Sequence, residues 1–322
     1  MANPILVEVT RGALVESVHR GSIAVADASG KIEFSLGDLE TPIYPRSSLK
    51  PIQALPLIES GAASSFGLNQ EEIALACASH SGEPMHTERV AAWLARIGCV
   101  ESDLACGAHP SRYEPVAEAM IRRGQKPTRI FNNCSGKHTG FLSVARHWDI
   151  ATKGYERHDH PVQQAVVRAL SELSGASGEI PWGVDGCAAP NFALPLAAQA
   201  RAFATMAGSR GERIVAAMTA HPELVSGTGR ACAVLMRSTR GRAAVKTGAE
   251  GFFAAMVPEL GYGIALKIDD GAARAAETAM AALLSRLGLL GDDDAAQSIL
   301  TAPVVNTVGT AVGERRPGPL LK

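Results

Sequence analysis

The sequence predicts a mixed α/β (α+β) protein in which one antiparallel sheet, built from both ends of the chain, is flanked by helices. Segments with strand-like alternation occupy the first 36 residues and return after Gly229. Between about residues 47 and 220 the apolar residues instead follow a helical period. The simplest packing that buries both sets of strands is a shared sheet with a second, mainly helical lobe.

This pattern predicts two domains. Residues 1–60 and 221–322 form a discontinuous α/β sheet domain, and residues 61–220 form the mainly helical domain. Ligand sites often lie between domains, so we expect the active site in the seam.

Hydrophobic periodicity and the positions of Gly, Pro and Asn residues predict the individual strands and helices. N-terminal strands are predicted at 6–10, 22–26 and 32–35, and helices at 71–77, 87–97, 115–123, 161–173 and 194–206, with Gly, Pro and Asn loops between them. Later strands are predicted at 231–236, 243–247, 252–257 and 264–268, before an Ala-rich amphipathic helix at 272–287. The tail from Thr307 onward is weakly patterned and is expected to be partly loose.

Composition excludes several classes of protein. Hydrophobic residues make up 46% of the 322 residues, enough for a large core, and a net charge of -1 gives no basic field for nucleic acid. The N-terminus reaches Glu8 before any secretory core, and no apolar stretch approaches the 18 or so residues of a membrane span. Six cysteines without CxxC pairing favour reduced thiols. We therefore expect a cytoplasmic protein with no membrane or nucleic-acid partner.

A Ser-x-x-Lys spacing is the strongest local signal. Ser47 and Lys50 open a predicted helix, where residues three apart lie on one face and can reach each other. A neutral lysine can take the proton of a serine nucleophile, and the N–H groups of a helix N-terminus can stabilise an oxyanion. The alternative is an N-cap serine followed by a solvent-exposed lysine.

Two further segments carry polar groups of the same kind. Ser79 lies just after an apolar helix in a loop of small residues, where it could relay protons, although the local sequence taken alone favours a helix C-terminus with a turn. Lys246-Thr247-Gly248 ends a predicted strand, and the next N–H, of Ala249, could join that of Ser47 in an oxyanion hole. Ser-x-x-Lys followed by Lys-Thr-Gly is typical of serine β-lactamases and penicillin-binding proteins.

Seven blocks together make the chain resemble the L-asparaginase II family, the class 3 or rhizobial-type asparaginases, which are related in fold to serine β-lactamases, penicillin-binding proteins and glutaminases. The blocks are RSSLKP (46–51), SHSGEP (79–84) with His86, NCSGKH (133–138), GVDGCAAP (183–190), HP to GTGR (221–230), KTGAEG (246–251) and KIDDG (267–271). The resemblance covers most of the chain and implies a β-lactamase/penicillin-binding-protein-like fold and a homodimer.

The resemblance also implies two Ser-Lys tandems, which fall on Ser47 with Lys50 and on Ser79 with Lys246. Lys267 on a later strand is an alternative to Lys246, which we prefer because it occupies the Lys-Thr-Gly position.

The same resemblance implies a zinc site at Cys134, Lys137 and Cys187. Since two thiols and one amine leave a fourth position for water or substrate, we expect zinc to assist substrate binding rather than to make the nucleophile.

Three residues are candidates for substrate binding. Asp185 in a Gly-rich loop is a natural partner for an α-ammonium group, although turn aspartates are common. Arg46 either pairs with a carboxylate or holds the neighbouring loop. His80 lies inside a motif block, where a hydrogen-bonded scaffold role is the alternative.

The expected function is that of an L-asparaginase. Ser47 would attack the side-chain amide of L-asparagine, and an acyl-enzyme would yield L-aspartate and ammonia. Three alternatives stay open: a glutaminase, a β-lactamase-like serine hydrolase, and a non-catalytic protein that binds zinc or an amino acid.

Overall fold

The computed structural model describes residues 2–321. The strands are β1 (Ile5–Arg11), β2 (Leu14–Asp27), β3 (Ile32–Leu36), β4 (Pro42–Ile43), β5 (Trp182–Val184), β6 (Pro190–Phe192), β7 (Leu194–Pro195), β8 (Ala244–Thr247), β9 (Phe252–Val257), β10 (Tyr262–Ile268), β11 (Ala302–Val305) and β12 (Ala311–Pro317).

The α-helices are α1 (Lys50–Gln53), α2 (Leu55–Glu59), α3 (Ala62–Ser65), α4 (Gln70–Ala76), α5 (Pro84–Arg96), α6 (Glu114–Arg122), α7 (Ser135–His147), α8 (Pro161–Ser174), α9 (Leu196–Met206), α10 (Glu212–Ala220), α11 (Pro222–Val225), α12 (Ala231–Ser238), α13 (Ala273–Arg286) and α14 (Asp294–Leu300). Short 3-10 helices cover Arg46–Leu49, Glu101–Asp103, Arg129–Phe131, Pro258–Leu260 and Pro319–Leu321.

Both ends of the chain build one antiparallel sheet, in the order β11-β12-β1-β2-β10-β9-β8, with β3 also paired to β2. The 14-residue strand β2 joins the two halves: its first half pairs with β1, and its second half pairs with β10 and β3. Strand β8, which carries Lys246, lies at the edge of the sheet. The predicted fold class is confirmed.

Helix α9 packs on β2, β9 and β10, and α13 packs on β1, β9, β10 and β12. A glycine in β10 allows the close approach of α9. A Cβ atom at Gly263 would lie 2.1 Å from the carbonyl oxygen of Ala200 and 2.1 Å from the amide nitrogen of Ala204. The backbones of the strand and the helix are therefore in direct contact at this point.

The helical lobe is organised around α7, in which every side chain from Ser135 to Ala145 is buried. Several of its polar side chains have buried partners: the indole Nε1 of Trp93 donates to Ser143 Oγ at 3.0 Å, and His138 Nδ1 lies 2.7 Å from the Tyr155 hydroxyl. His138 Nε2 is buried without a hydrogen-bond partner among residues 2–321. The middle of the chain also contains the strand pair β5–β6 and the strand β7, which pairs with β4 from the N-terminal segment, so it is less purely helical than its period predicts.

Two expectations from the sequence are wrong. Residues 231–236 were expected to be a strand but form helix α12, because the continuous apolar run ACAVLM fits a buried helix as well as a buried strand. The tail was expected to be partly loose, yet β12 pairs with β1 over Val7–Pro317 to Val9–Arg315. The proposed domain boundaries stay a prediction.

Across residues 2–321, every helix is too short or too polar to cross a bilayer.

The contact between β10 and α9 generates a stability prediction. Gly263→Ala should lower the free energy of unfolding by about 1–3 kcal/mol, because the added methyl group forces two backbones apart. Urea denaturation measures this change. Gly107→Ala is the matched control, since a Cβ atom there has no neighbour within 4 Å. Equal losses at both positions would contradict the close-approach argument.

Candidate functional site

A cavity of about 370 Å³ opens where the sheet edge meets the helical lobe. Its wall gathers segments that are distant in sequence and is lined by Arg46, Ser47, Ser79, His109, Arg112, Asn132, Asn133, Cys134, Asp185, Gly186, Cys187, Arg230, Thr247, Gly248, Ala249, Ala273 and Glu277. Most of the residues singled out in the sequence therefore share one cavity.

Two buried lysines converge on one serine at the base of this cavity. Lys50 Nζ donates to Ser79 Oγ at 3.0 Å and to the Ala78 carbonyl at 2.5 Å. Lys246 Nζ donates to the same Ser79 Oγ at 2.8 Å and to the Thr247 carbonyl at 2.9 Å. The two lysines are only 1% and 0% exposed. The sequence did not predict that Lys50 would contact Ser79 rather than Ser47.

The electrostatics of this cluster favour loss of a proton. Burial lowers the pKa of Lys246 to about 7, and the nearby positive charge of Lys50 adds to this, while Cys232 opposes it. Lys246 can therefore act as a base near neutral pH.

Ser47 lies on the cavity wall in the 3-10 helix that leads into α1. Its hydroxyl makes no hydrogen bond with residues 2–321, and the same holds for its N–H and that of Ala249. The preceding residue, Arg46, adopts a left-handed φ of 51°, which a side chain other than glycine takes only under constraint. The backbone is thus bent sharply where Ser47 enters the cavity.

The Ser47 helix is fixed to the edge strand β8. Buried Ser48 donates its hydroxyl to the Lys246 carbonyl at 2.6 Å. A Cβ atom at Gly248 would lie 2.4 Å from the Pro45 carbonyl oxygen, so glycine is needed for the strand to approach this closely. These contacts set the separation between Ser47 and the N–H of Ala249.

Arg46 is engaged with Asp185. Its Nε and Nη2 donate to Asp185 Oδ1 at 3.0 and 2.8 Å, and Gly186 N donates to the same oxygen at 2.7 Å. Arg46 thus pairs with a carboxylate and by this contact also holds the Asp185 loop, so the two roles considered for it coincide. The second carboxylate oxygen of Asp185 takes part in none of these bonds.

The Ser79 loop is anchored on both sides. Ser79 N donates to the Val225 carbonyl at 2.9 Å, and His80 N donates to the Asn133 carbonyl at 3.2 Å. The His80 ring is buried, with Nε2 at 2.9 Å from Ser135 Oγ, and burial lowers its pKa well below the usual range. His80 does not line the cavity, so the geometry places it as a scaffold residue rather than a substrate contact.

The implied zinc ligands lie beside the Ser-Lys cluster. Lys137 Nζ is 3.1 Å from Cys187 Sγ. The side chains of Cys134, Lys137 and Cys187 are all buried. A hydrogen bond from Cys134 and the charge of Lys137 lower the pKa of Cys187 against the effect of burial, whereas the same bond and burial raise the pKa of Cys134. Two sulfur atoms and one amine nitrogen therefore converge.

Two other residues of the sequence analysis, Lys267 and Cys232, lie outside the wall of the cavity. Lys267 does not line the cavity, and its Nζ contacts the Ile268 carbonyl. Cys232 lies on α12 instead of a strand, and its sulfur accepts the N–H of Thr247 at 3.2 Å. Lys246 is thus the lysine that accompanies Ser79.

Sequence reasoning missed four charged or polar residues of the wall: His109, Arg112, Arg230 and Glu277. His109 Nε2 accepts the Asn133 N–H at 2.8 Å. Arg230 ends the 221–230 block but was given no role, and the other three lie outside the seven blocks. Contacts of the Ser79 loop with Arg112 N and with Thr228 position the two arginines.

The chain is similar to known proteins in sequence pattern and in fold. The pattern of the L-asparaginase II family matches residues 7–317. No curated protein matches the chain in sequence. Solved structures that align with it include a β-lactamase (Mb2281c) from Mycobacterium bovis, 15% identical, covering 83% of this chain and 94% of that one with a TM-score of 0.38.

Another is Mglu in its native form, 14% identical, covering 85% of this chain and 66% of that one, TM-score 0.39. A penicillin-binding protein homologue from Pyrococcus abyssi is 10% identical, covering 82% and 73% respectively, TM-score 0.35. Likeness at this level says nothing about substrate.

The protein is therefore a mixed α/β protein with a Ser-Lys cluster in the seam of its sheet and helical lobe. The chain belongs to the L-asparaginase II family. This membership supports asparaginase-type amidohydrolase activity.

Proposed function

We propose that the protein is an L-asparaginase that releases L-aspartate and ammonia through an acyl-enzyme on Ser47. The observation that carries the proposal is the buried chain Lys50–Ser79–Lys246 beside Ser47 in one cavity. Serine is a weak nucleophile unless a neighbouring base takes its proton, and burial behind the cavity wall lowers the pKa of Lys246 to about 7, which favours its neutral form.

Proton movement begins with one contact that the free structure does not contain. Ser47 attacks the amide carbon as its proton passes to Lys50, the first base of the tandem, whose Nζ bonds Ser79 and the Ala78 carbonyl and turns toward Ser47 for this step. The proton then reaches the leaving amine through Ser79, whose hydroxyl accepts from both lysines. Ammonia leaves, and water attacks the ester with the same groups acting in reverse.

The negative oxygen of the tetrahedral intermediate needs donors that are free before the reaction. The N–H groups of Ser47 and Ala249 meet this condition because both line the cavity without a partner among residues 2–321. Asp185 would bind the α-ammonium group of the substrate through the carboxylate oxygen that Arg46 leaves free.

Zinc held by Cys134, Lys137 and Cys187 belongs to the proposal. Tetrahedral ligands at ordinary zinc–sulfur and zinc–nitrogen distances lie roughly 3.6 Å apart, so the 3.1 Å contact of Lys137 with Cys187 needs only a small adjustment. The lowered pKa of the Cys187 thiol suits a thiolate ligand. The same neighbouring thiols raise the pKa of Lys137 against the effect of burial, so Lys137 would have to lose its proton when zinc binds. Bound zinc would supply an electrophilic anchor for the substrate, and no proton step depends on it.

Other activities stay as alternatives for measurement. Glutamine differs from asparagine by one methylene, which a pocket discriminates only modestly. A β-lactamase-like hydrolase would act on a chromogenic cephalosporin, and a non-catalytic binding protein would release no ammonia. The homodimer and the cytoplasmic location also stay predictions.

Ser47→Ala should lower kcat/KM for L-asparagine by roughly 10³-fold or more, because it removes the nucleophile. Ammonia release measures the loss, and circular dichroism checks that the fold is retained. Ser65→Ala, at an exposed helix end, is the matched control and should leave activity unchanged. An electrophilic asparagine analogue should label Ser47; a label on Ser79 would exchange the roles of the two serines.

The pH profile should report Lys246. Because neutral lysine is the base and burial lowers the pKa of Lys246 to about 7, kcat/KM should rise about tenfold per pH unit below that value and level off above it. Lys246→Met should remove most of the activity, and the remaining kcat/KM should no longer rise with pH below about 7. A wild-type profile that is flat from pH 5 to 9 would contradict a base of this pKa.

Chelation of zinc should raise KM for L-asparagine roughly tenfold while kcat changes little, since zinc assists binding. Metal analysis of Cys187→Ser should show loss of zinc, whereas Cys99→Ser, remote from the cavity, should keep it. If metal removal changed neither KM nor kcat, the assignment would be wrong.

A further inference from the structure

Two guanidinium groups of the cavity wall have no partner. Arg112 is exposed at the cavity mouth and Arg230 is half-buried. Neither side chain makes a hydrogen bond or an ion pair with residues 2–321, in contrast to Arg46, which is held by Asp185. An unpaired arginine inside a cavity presents a rigid fork of donors that matches a carboxylate.

Both arginines are held in place by one segment, the Ser79 loop. The Ser81 carbonyl accepts the N–H of Arg112 at 2.7 Å and the hydroxyl of Ser111 at 2.8 Å. Two residues further on, Glu83 accepts the N–H and the hydroxyl of Thr228 at 2.9 and 2.7 Å, which fixes the turn before Arg230. The backbone thus positions both side chains relative to Ser79.

The two positive charges are close enough to affect each other. Partial burial and the charge of Arg230 lower the pKa of Arg112. Arg230 is also the N-cap of α12, whose first N–H groups have no side-chain cap and add positive potential. Like charges held together without a counter-ion are costly, so this end of the cavity favours an anion.

Glu277 on α13 is the acidic neighbour that could act as a permanent counter-ion. Burial raises its pKa, and the charges of Arg315 and Arg230 oppose that rise. It forms no hydrogen bond or ion pair with either arginine within the described chain, so the guanidinium donors of both arginines remain free for a ligand.

We propose that Arg112 and Arg230 bind the α-carboxylate of the substrate, while Asp185, on the wall of the same cavity, binds its α-ammonium group. This inference rests on the proposed function and narrows its substrate class. The cavity would hold a free α-amino acid amide by both charged ends, and it would reject an asparagine whose α-carboxylate is blocked, as in a peptide.

The decisive experiment compares L-asparagine with its α-carboxamide, which has the same shape without the negative charge. Products are separated by chromatography so that attack on the side-chain amide is counted alone. Wild type should prefer L-asparagine. Arg112→Met/Arg230→Met should lose roughly 10- to 100-fold in kcat/KM for L-asparagine and change little on the α-carboxamide.

Arg122→Met is the matched control, because Arg122 is exposed on α6 and paired with Glu118. It should behave as wild type on both compounds. Arg230→Lys should retain part of the preference for L-asparagine that the double Met variant loses, since lysine keeps the positive charge. Equal losses on both compounds, or no loss, would overturn the assignment. If zinc chelation abolishes the preference for L-asparagine over its α-carboxamide and the arginine substitutions do not, the metal binds the carboxylate and the assignment is wrong.

The two proposals fail separately. Absence of product from either compound would reject the asparaginase proposal, and titration calorimetry with L-aspartate and its α-carboxamide would then test the arginines alone. Tighter binding of L-aspartate that weakens tenfold or more in the double variant supports the carboxylate site. Equal binding of both compounds, or binding of neither, overturns it.

Discussion

The structure depends on burying two lysines against one serine hydroxyl. Lys50 and Lys246 both donate to Ser79 Oγ, and both are removed from water. Two ammonium groups in such a place repel each other and lose hydration, so the pKa of Lys246 falls to about 7. The arrangement destabilises the folded state and is retained only because surrounding contacts hold it.

Those contacts join segments far apart in the chain. Ser48 ties the Ser47 helix to the Lys246 carbonyl, and Gly248 lets the edge strand approach Pro45. Ser79 is fixed by Val225. Each contact pairs a backbone group with a defined partner, so the relative positions of the two tandems are set by backbone geometry rather than by flexible side chains.

The sequence predicted the parts of the fold that local pattern determines. Alternation located β1 to β3 and β8 to β10, and the 3.6-residue period located α4, α5, α6, α8, α9 and α13 but not α7. The Ser-x-x-Lys and Lys-Thr-Gly spacings located the cluster. Residues 231–236 were misread because an unbroken apolar run has no period that separates helix from strand. The pairing of β12 with β1 was missed because partners about 300 residues apart leave no local signal.

The same limit explains why Arg112 and Arg230 were missed. An arginine in a polar loop resembles any surface arginine, and its meaning arises only when the loop is anchored to the Ser79 segment. The helix at 231–238, misread as a strand, is what gives Arg230 its N-cap position. The misread helix therefore bears on Arg230 alone, whereas Arg112 depends on the contact of its own loop with Ser81.

The arginines and the lysines act on each other through the field of the cavity. Arg230 contributes to the low pKa of Lys246, since its positive charge disfavours a second one nearby. In the proposed assignment, a substrate carboxylate between Arg112 and Arg230 cancels much of that charge. The proton affinity of Lys246 then rises when substrate is bound, which is when a base must accept a proton. An amide without this carboxylate would gain neither the binding contact nor the stronger base, so both effects select the same substrate.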